Sequence, residues 1–234
     1  MRPPLSLTVA QPRCVAGDTR ANGLRHAAAV RQARTQVVVF PELSLTGYEL
    51  DADLVEPGDA ALDPVVAACG ATGSLALVGA PVGGPRGQAY IAMLAVRPAG
   101  VSVLYRKKWI GGEEAARFSP GDEPTACELG GWRIGVGICR DTGIGEHVDR
   151  MADLNIDLYV AGLVHHREER NEQARRAVFI AQRCQAYVAL ASFAGPAGRG
   201  YPRTAGSSAI WSPGGDVLAQ AGPDPGELAR ATLE

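Results

Sequence analysis

Lysine is almost missing from this chain: of 23 basic residues, 21 are arginine, and the two lysines stand side by side at 107 and 108. Long apolar runs are missing as well. None approaches the ~20 residues needed to span a bilayer, so no membrane partner is expected. Cysteine is sparse and unpaired in pattern, with five residues at 14, 69, 127, 139 and 184 and no CxxC. That argues against a disulfide scaffold and against a structural zinc site. An excess of one charge is also lacking, because 25 acidic residues against the 23 basic ones leave a net charge of −2. Nothing electrostatic therefore points to a nucleic-acid partner. The opening MRPPLSLTVAQPR holds too short an apolar stretch for a signal-peptide core, which makes the cytoplasm the expected location. No repeat or low-complexity linker divides the chain, and residues 1–234 are expected to form one domain.

What is present suits a large core, since 46% of residues are hydrophobic. Leu5–Gln11 alternates like a strand, and Leu75–Val82, Gln88–Val96, Val101–Tyr105, Ser208–Trp211, Val217–Gln220 and Leu228–Thr232 also read as strands. Gln36–Phe40 is a β-branched run with no polar face, as a strand covered on both faces should be, and Trp132–Ile138, Ile156–Ala161 and Tyr187–Phe193 are further strands. Helices are predicted at Ala21–Arg34, Ala60–Cys69, Glu146–Leu154 and Arg167–Gln185, and loops at about 107–124 and from 194 to 205. Helices alternating with strands, and strands following strands, imply a layered α/β fold with some antiparallel pairing.

Three strand ends deliver reactive side chains. Glu42 follows QVVVF-Pro41, Lys107 follows VSVLYR, and Cys139 follows WRIGVGI. Ligands collect beyond the carboxyl ends of strands in open α/β sheets, where such groups can converge. A thiolate can attack, a carboxylate can take its proton, and a cation can hold oxyanion charge. Residue types alone leave a plainer alternative open, in which Cys139 is a core thiol and Glu42 and Lys107 form an ordinary ion pair.

Four strings resemble the motifs of the nitrilase (carbon–nitrogen hydrolase) superfamily, in its order. They are Phe40–Tyr48 (FPELSLTGY), Tyr105–Ile110 with Glu114 and Phe118–Asp122, Gly135–Asp141 (GVGICRD) with Glu146, and the GxSxIxxPxG of Gly206–Gly215. The resemblance implies a four-layer α-β-β-α sandwich and a homodimer or larger assembly. It further implies that Cys139 is the nucleophile, Glu42 the general base and Lys107 the stabiliser of the tetrahedral intermediate. Glu114 would order the site, and the backbone N–H of Arg140 would supply a second oxyanion donor. Tyr48, Gly162 and His165 are the residues expected to line the substrate pocket. The implied activity is thiol-dependent hydrolysis of a small linear amide, which needs no metal or organic cofactor. Alternatives are an N-carbamoyl amidohydrolase, a nitrilase, or a silent binding member of the same fold.

Several positions depart from the family pattern. Arg140 stands where nitrilases carry tryptophan, and Cys139-Arg140-Asp141 resembles the amidase-like form instead. Gly145 replaces a frequent proline, Gly162–His166 replaces a stretch that helps shape the pocket, and Ile180–Cys184 erodes another family theme. His165 and His166, if on a strand, would point to opposite faces and not share a metal. The Arg167–Arg170 and Arg175-Arg176 charges are expected on a solvated helix face. Cys14, Cys69, Cys127 and Cys184 are assigned to packing.

Overall fold

The computed structural model describes residues 2–121 and 123–234. Asp122, the last residue of the Phe118–Asp122 string, lies outside them. The first sheet is built from β1 (Leu5–Ala10), β2 (Val37–Val39), β3 (Leu75–Gly83), β4 (Ala89–Arg97) and β5 (Gly100–Arg106). The second holds β6 (Ala126–Leu129), β7 (Trp132–Ile138), β8 (Leu158–Leu163) and β9 (Tyr187–Ser192). A two-stranded ribbon of β10 (Ala194–Gly195) and β11 (Thr204–Ala205) follows, and then β12 (Ala209–Trp211) and β13 (Val217–Gln220) complete the second sheet. The last strand, β14 (Leu228–Leu233), returns to the first sheet and lies antiparallel on β1 with Leu5 opposite Leu233. Each sheet has six strands, in the orders β14-β1-β2-β3-β4-β5 and β13-β12-β9-β8-β7-β6. Three parallel strands lie at the heart of each, β1-β2-β3 and β7-β8-β9, with antiparallel strands outside them.

Side-chain alternation explains the layering. Val37 and Val39 face one cluster, with Leu5, Leu7, Leu77, Ile134, Val136 and Val160, and this cluster fills the space between the sheets. Val38 points the other way, with Ala76 and Val78, to meet Ala27, Val30 and Val65 of α1 (Thr19–Ala33) and α2 (Asp63–Thr72). The far face of the second sheet packs Tyr159, Ala161 and Val188 against Val148, Met151, Ala177 and Ile180 of α3 (Gly145–Asp153) and α4 (Arg170–Cys184). The order helix, sheet, sheet, helix is the four-layer sandwich expected from the motifs. No described helix is long and apolar enough to cross a membrane.

Local differences from the sequence reading have physical causes. Gln11 lies one residue past the end of β1, beyond the last paired residue Ala10, and its side chain bonds to the Gly222 carbonyl. The second helix starts at Asp63 with Pro64 in its first turn and runs on to Thr72, where Gly73 takes the left-handed closing conformation (φ 69°). The fourth begins at Arg170 after a tight turn over Arg167–Glu169. Strand β6, missed in the sequence, is a short half-exposed edge that pairs with β7.

Candidate active site

Glu42, Lys107 and Cys139 leave their strands at the same end of the sandwich. Glu42 follows β2 by way of Phe40-Pro41, Lys107 follows β5, and Cys139 follows β7. The first of these positions depends on two glycines. A Cβ on Gly79 of β3 would lie 2.5 Å from the Leu43 nitrogen, and one on Gly162 of β8 would lie 2.7 Å from the Glu42 nitrogen. The Pro41–Leu43 backbone therefore runs between the two sheets where side chains would block it. This corrects one expectation: Gly162 does not line the cavity but backs the Glu42 backbone. Leu43 itself is left-handed (φ 50°).

Glu42 is fully buried, and its Oε1 accepts from Lys107 Nζ at 2.7 Å. Its Oε2 has no hydrogen-bond partner among the described residues. Lys107 is 1% exposed and also donates to both oxygens of Glu114, at 2.7 and 2.8 Å. Glu114 is held by the Tyr48 hydroxyl, which donates to its Oε1 at 2.8 Å, and by the Gly111 N–H at 3.4 Å. One ammonium thus bridges two buried carboxylates. A guanidinium is a broad planar fork and does not match that compact role, in which Lys107 supplies all its donors from a single nitrogen.

Cys139 opens a tight turn over Cys139–Gly143 and is itself left-handed (φ 39°). Strain of this kind persists only where surrounding structure enforces it. Asp141 provides that enforcement: its fully buried carboxylate accepts from the Ile138 N–H (2.9 Å), the Tyr105 hydroxyl (3.0 Å) and the Trp109 N–H (3.2 Å). It therefore ties the cysteine turn to the segment that carries Lys107. The Cys139 thiol donates to the Val164 carbonyl at 3.3 Å. Arg140 lies in the first turn, where a backbone N–H has no acceptor inside the turn.

The charges of these groups are mutually dependent. Burial raises the Glu42 carboxyl to about 7, opposed by Lys107 and helped by Glu114. Burial also raises the Cys139 thiol well above its usual range, with the Glu42 charge adding to the rise and Lys107 opposing it. Burial alone would lower Lys107, but Glu42, Cys139 and Glu114 together lift it above an ordinary lysine. Asp141 is raised by burial to about 6, against the pull of Lys107.

Lys107 and Cys139 face a cavity of about 410 Å³. Tyr48, Lys107, Glu114, Cys139, Arg140 and His165 all line it, whereas Glu42 lies behind Lys107. His165 is buried, and burial lowers its pKa, with Arg176 adding to the effect. The two histidines follow the end of β8 and both line the cavity, so strand alternation does not separate them as expected. Among the described residues no group of His, Cys, Asp and Glu is placed to hold a metal ion. The loop after β10 supplies a wall that sequence reading passed over. Tyr201 stacks on His166 (4.4 Å between ring centroids) and meets Tyr48 edge-on (4.8 Å), while the Tyr48 N–H donates to the Ala197 carbonyl at 2.6 Å.

The fourth motif serves structure and not the cavity. Ser208 donates to the Ser192 carbonyl and accepts from the Ser192 N–H, while its own N–H donates to Gln11 Oε1 at 3.0 Å. Gln11 Nε2 donates in turn to the Gly222 and Asp224 carbonyls. The motif thus sews the end of β1 to the second sheet.

Comparison with known proteins agrees with this architecture. The carbon-nitrogen hydrolase profile matches residues 6–234, and the chain belongs to that family of enzymes, which act on C–N bonds. Its curated relatives include an (R)-stereoselective amidase of Pseudomonas sp, 29% identical over 224 residues, covering 89% of this chain and 77% of the relative. Among solved structures, Nit3 of Saccharomyces cerevisiae, a member of branch 10 of the nitrilase superfamily, superposes with a TM-score of 0.88 at 21% identity. That match covers 99% of this chain and 90% of the other. An amidase from Nesterenkonia sp. matches at 25% identity and a TM-score of 0.81, over 98% and 90% of the two chains. A mutant of that amidase shows acrylamide added to its active-site cysteine.

Proposed function

We propose that this hydrolase cleaves small linear amides through a thioester on Cys139. One observation carries the reading: Lys107 bridges Glu42 and Glu114 at the cavity, leaving Glu42 Oε2 buried and free to exchange a proton. In the resting site the raised thiol keeps its proton. On substrate binding the Cys139 proton passes to Glu42 as the sulfur–carbon bond forms. The carbonyl electron pair moves to oxygen, where Lys107 Nζ and the Arg140 N–H hold the charge. Collapse breaks the C–N bond, and Glu42 returns the proton to the departing nitrogen, releasing ammonia. Water then attacks the thioester with its proton going to Glu42, and the acid leaves as Cys139 regains its hydrogen. Two smaller barriers replace one large one. Glu114 is in this scheme a positioning residue that holds the Lys107 ammonium.

The amidase relatives and the Cys139-Arg140-Asp141 string support an amide over a nitrile or an N-carbamoyl compound. Ammonia release from matched amides, ureides and nitriles tests the choice. Faster turnover of amides is expected, and turnover confined to nitriles or ureides would replace the reading. No ammonia from any of them, with Cys139 unmodified by acrylamide, would favour a binding protein on the same fold.

A further inference from the structure

A second, smaller cavity of about 150 Å³ lies apart from the catalytic one and shares no lining residue with it. Three arginines line it, Arg167, Arg170 and Arg203, against a single acidic residue, Asp224. Arg167 and Arg203 are exposed, and neither their side chains nor that of Asp224 has a hydrogen bond or ion pair among the described residues. Arg170 is half-buried, and its Nη2 donates to the Ala205 carbonyl at 3.3 Å. Its Nε is shielded from solvent and has no partner among the described residues. A buried donor left open calls for an acceptor, and like charges held around one cavity favour an anion between them. The cavity sits where the turn before α4 meets the β10–β11 ribbon. There the Arg167 N–H donates to the Arg203 carbonyl at 3.3 Å, and the Ala205 N–H donates to the His165 carbonyl at 3.0 Å. Thr204 Oγ1 donates across the ribbon to the Gly195 carbonyl at 2.6 Å. The same two segments carry His166 and Tyr201, whose stacked rings wall the catalytic cavity.

We infer that Arg167, Arg170 and Arg203 bind a phosphate group, free or on a small monoester, which ties together the two segments walling the catalytic cavity. Guanidiniums pair with phosphate oxygens through parallel N–H···O bonds that are stronger than neutral ones. Three guanidiniums less one carboxylate leave a charge of +2 around the cavity, which matches a phosphate near its dianionic state. Size points the same way. Pockets for drug-sized ligands begin at roughly 300 Å³, so a cavity of about 150 Å³ suits one tetrahedral group and not a large organic anion. The bound ion would hold Arg167 of the turn and Arg203 of the ribbon to one centre. His166 is next to the first and Tyr201 is two residues from the second, so the clamp keeps their rings together.

Calorimetric titration of inorganic phosphate and of methyl phosphate, at matched ionic strength, tests the site in the wild type, Arg167→Gln and Arg203→Gln. Both arginines are exposed, and circular dichroism checks that each variant keeps its fold. The wild type should bind at least one of the two ions, and each variant should lose affinity by about tenfold or more. Tighter binding of methyl phosphate assigns the site to a phosphorylated small molecule, and tighter binding of inorganic phosphate assigns it to the free ion. Amide hydrolysis with and without the better ligand gives a second readout. KM should fall by about fivefold or more with kcat nearly unchanged, and the fall should vanish in Arg203→Gln. No binding to the wild type, or binding that neither substitution weakens, overturns the inference. Phosphate that raises KM as a competitor also overturns it, because the ion would then sit in the catalytic cavity. Binding at the site with KM unchanged overturns the link to the cavity wall. The titration needs no turnover, so its result stands apart from the amidase reading.

Discussion

Glu42 is fully buried, with one carboxylate oxygen on an ammonium and the other without a partner among the described residues. Burial raises its pKa to about 7, which sets the expected pH dependence. Below that value the carboxyl is protonated and cannot accept the thiol proton, so kcat/KM should climb as pH rises through about 7. A pH–rate profile flat across that region would remove Glu42 as the base. The sign for stability is opposite. The folded carboxyl holds a proton that the unfolded chain has already released, so its contribution is full in acid and declines as pH rises toward and through about 7. Lys107→Arg should reduce kcat by about 10²–10³, the cost typical of losing one oxyanion donor. Circular dichroism would show whether the variant keeps its fold, and near-normal turnover would contradict the role given to the ammonium. The three groups were legible because each follows an apolar strand directly. Asp141 was visible only as a letter in a motif, since its partners Tyr105 and Trp109 come from a distant segment.

At the scale of elements, the tight turn that begins at Cys139 and the crossing of Pro41–Leu43 between two glycines decide the geometry. Asp141→Asn keeps the shape of the side chain but loses the charge that three donors share. It should cost about 1–3 kcal/mol in a urea titration and lower kcat as the left-handed turn relaxes. Unchanged stability and turnover would mean that the turn is held by other contacts. Gly162→Ala should also destabilise the fold, by about 1–3 kcal/mol, because its methyl group meets backbone and not a movable side chain. The positions of most strands could be read from alternation and apolar runs. Helix starts were less legible, since Arg167–Glu169 has helix-forming residues yet winds more tightly than α4. The wall after β10 was not legible at all, because its glycines and prolines mark a loop without saying what Tyr201 will cover.

For the whole molecule, the governing fact is that remote strands open at one end of paired sheets. Closure of the first sheet by β14 and the Gln11 seam to the second sheet hold that end together. Gln11→Ala would strand the Ser208 N–H and two carbonyls, and a loss of about 1–3 kcal/mol is expected on thermal or urea unfolding. No loss would show that water replaces the seam. The sandwich was foreseeable because four motifs in order span the chain. The partner of the last strand was not foreseeable, because alternation at Leu228–Leu233 fixes its faces and not its neighbour. The central claim is that Cys139 carries the acyl group during turnover. Rapid acid quenching during amide hydrolysis, followed by peptide mass mapping, measures this directly. The acyl mass should appear on the peptide containing Cys139 and vanish in Cys139→Ala together with ammonia release. Acylation at Cys14, Cys69, Cys127 or Cys184 instead, or sustained hydrolysis by Cys139→Ala, would contradict it.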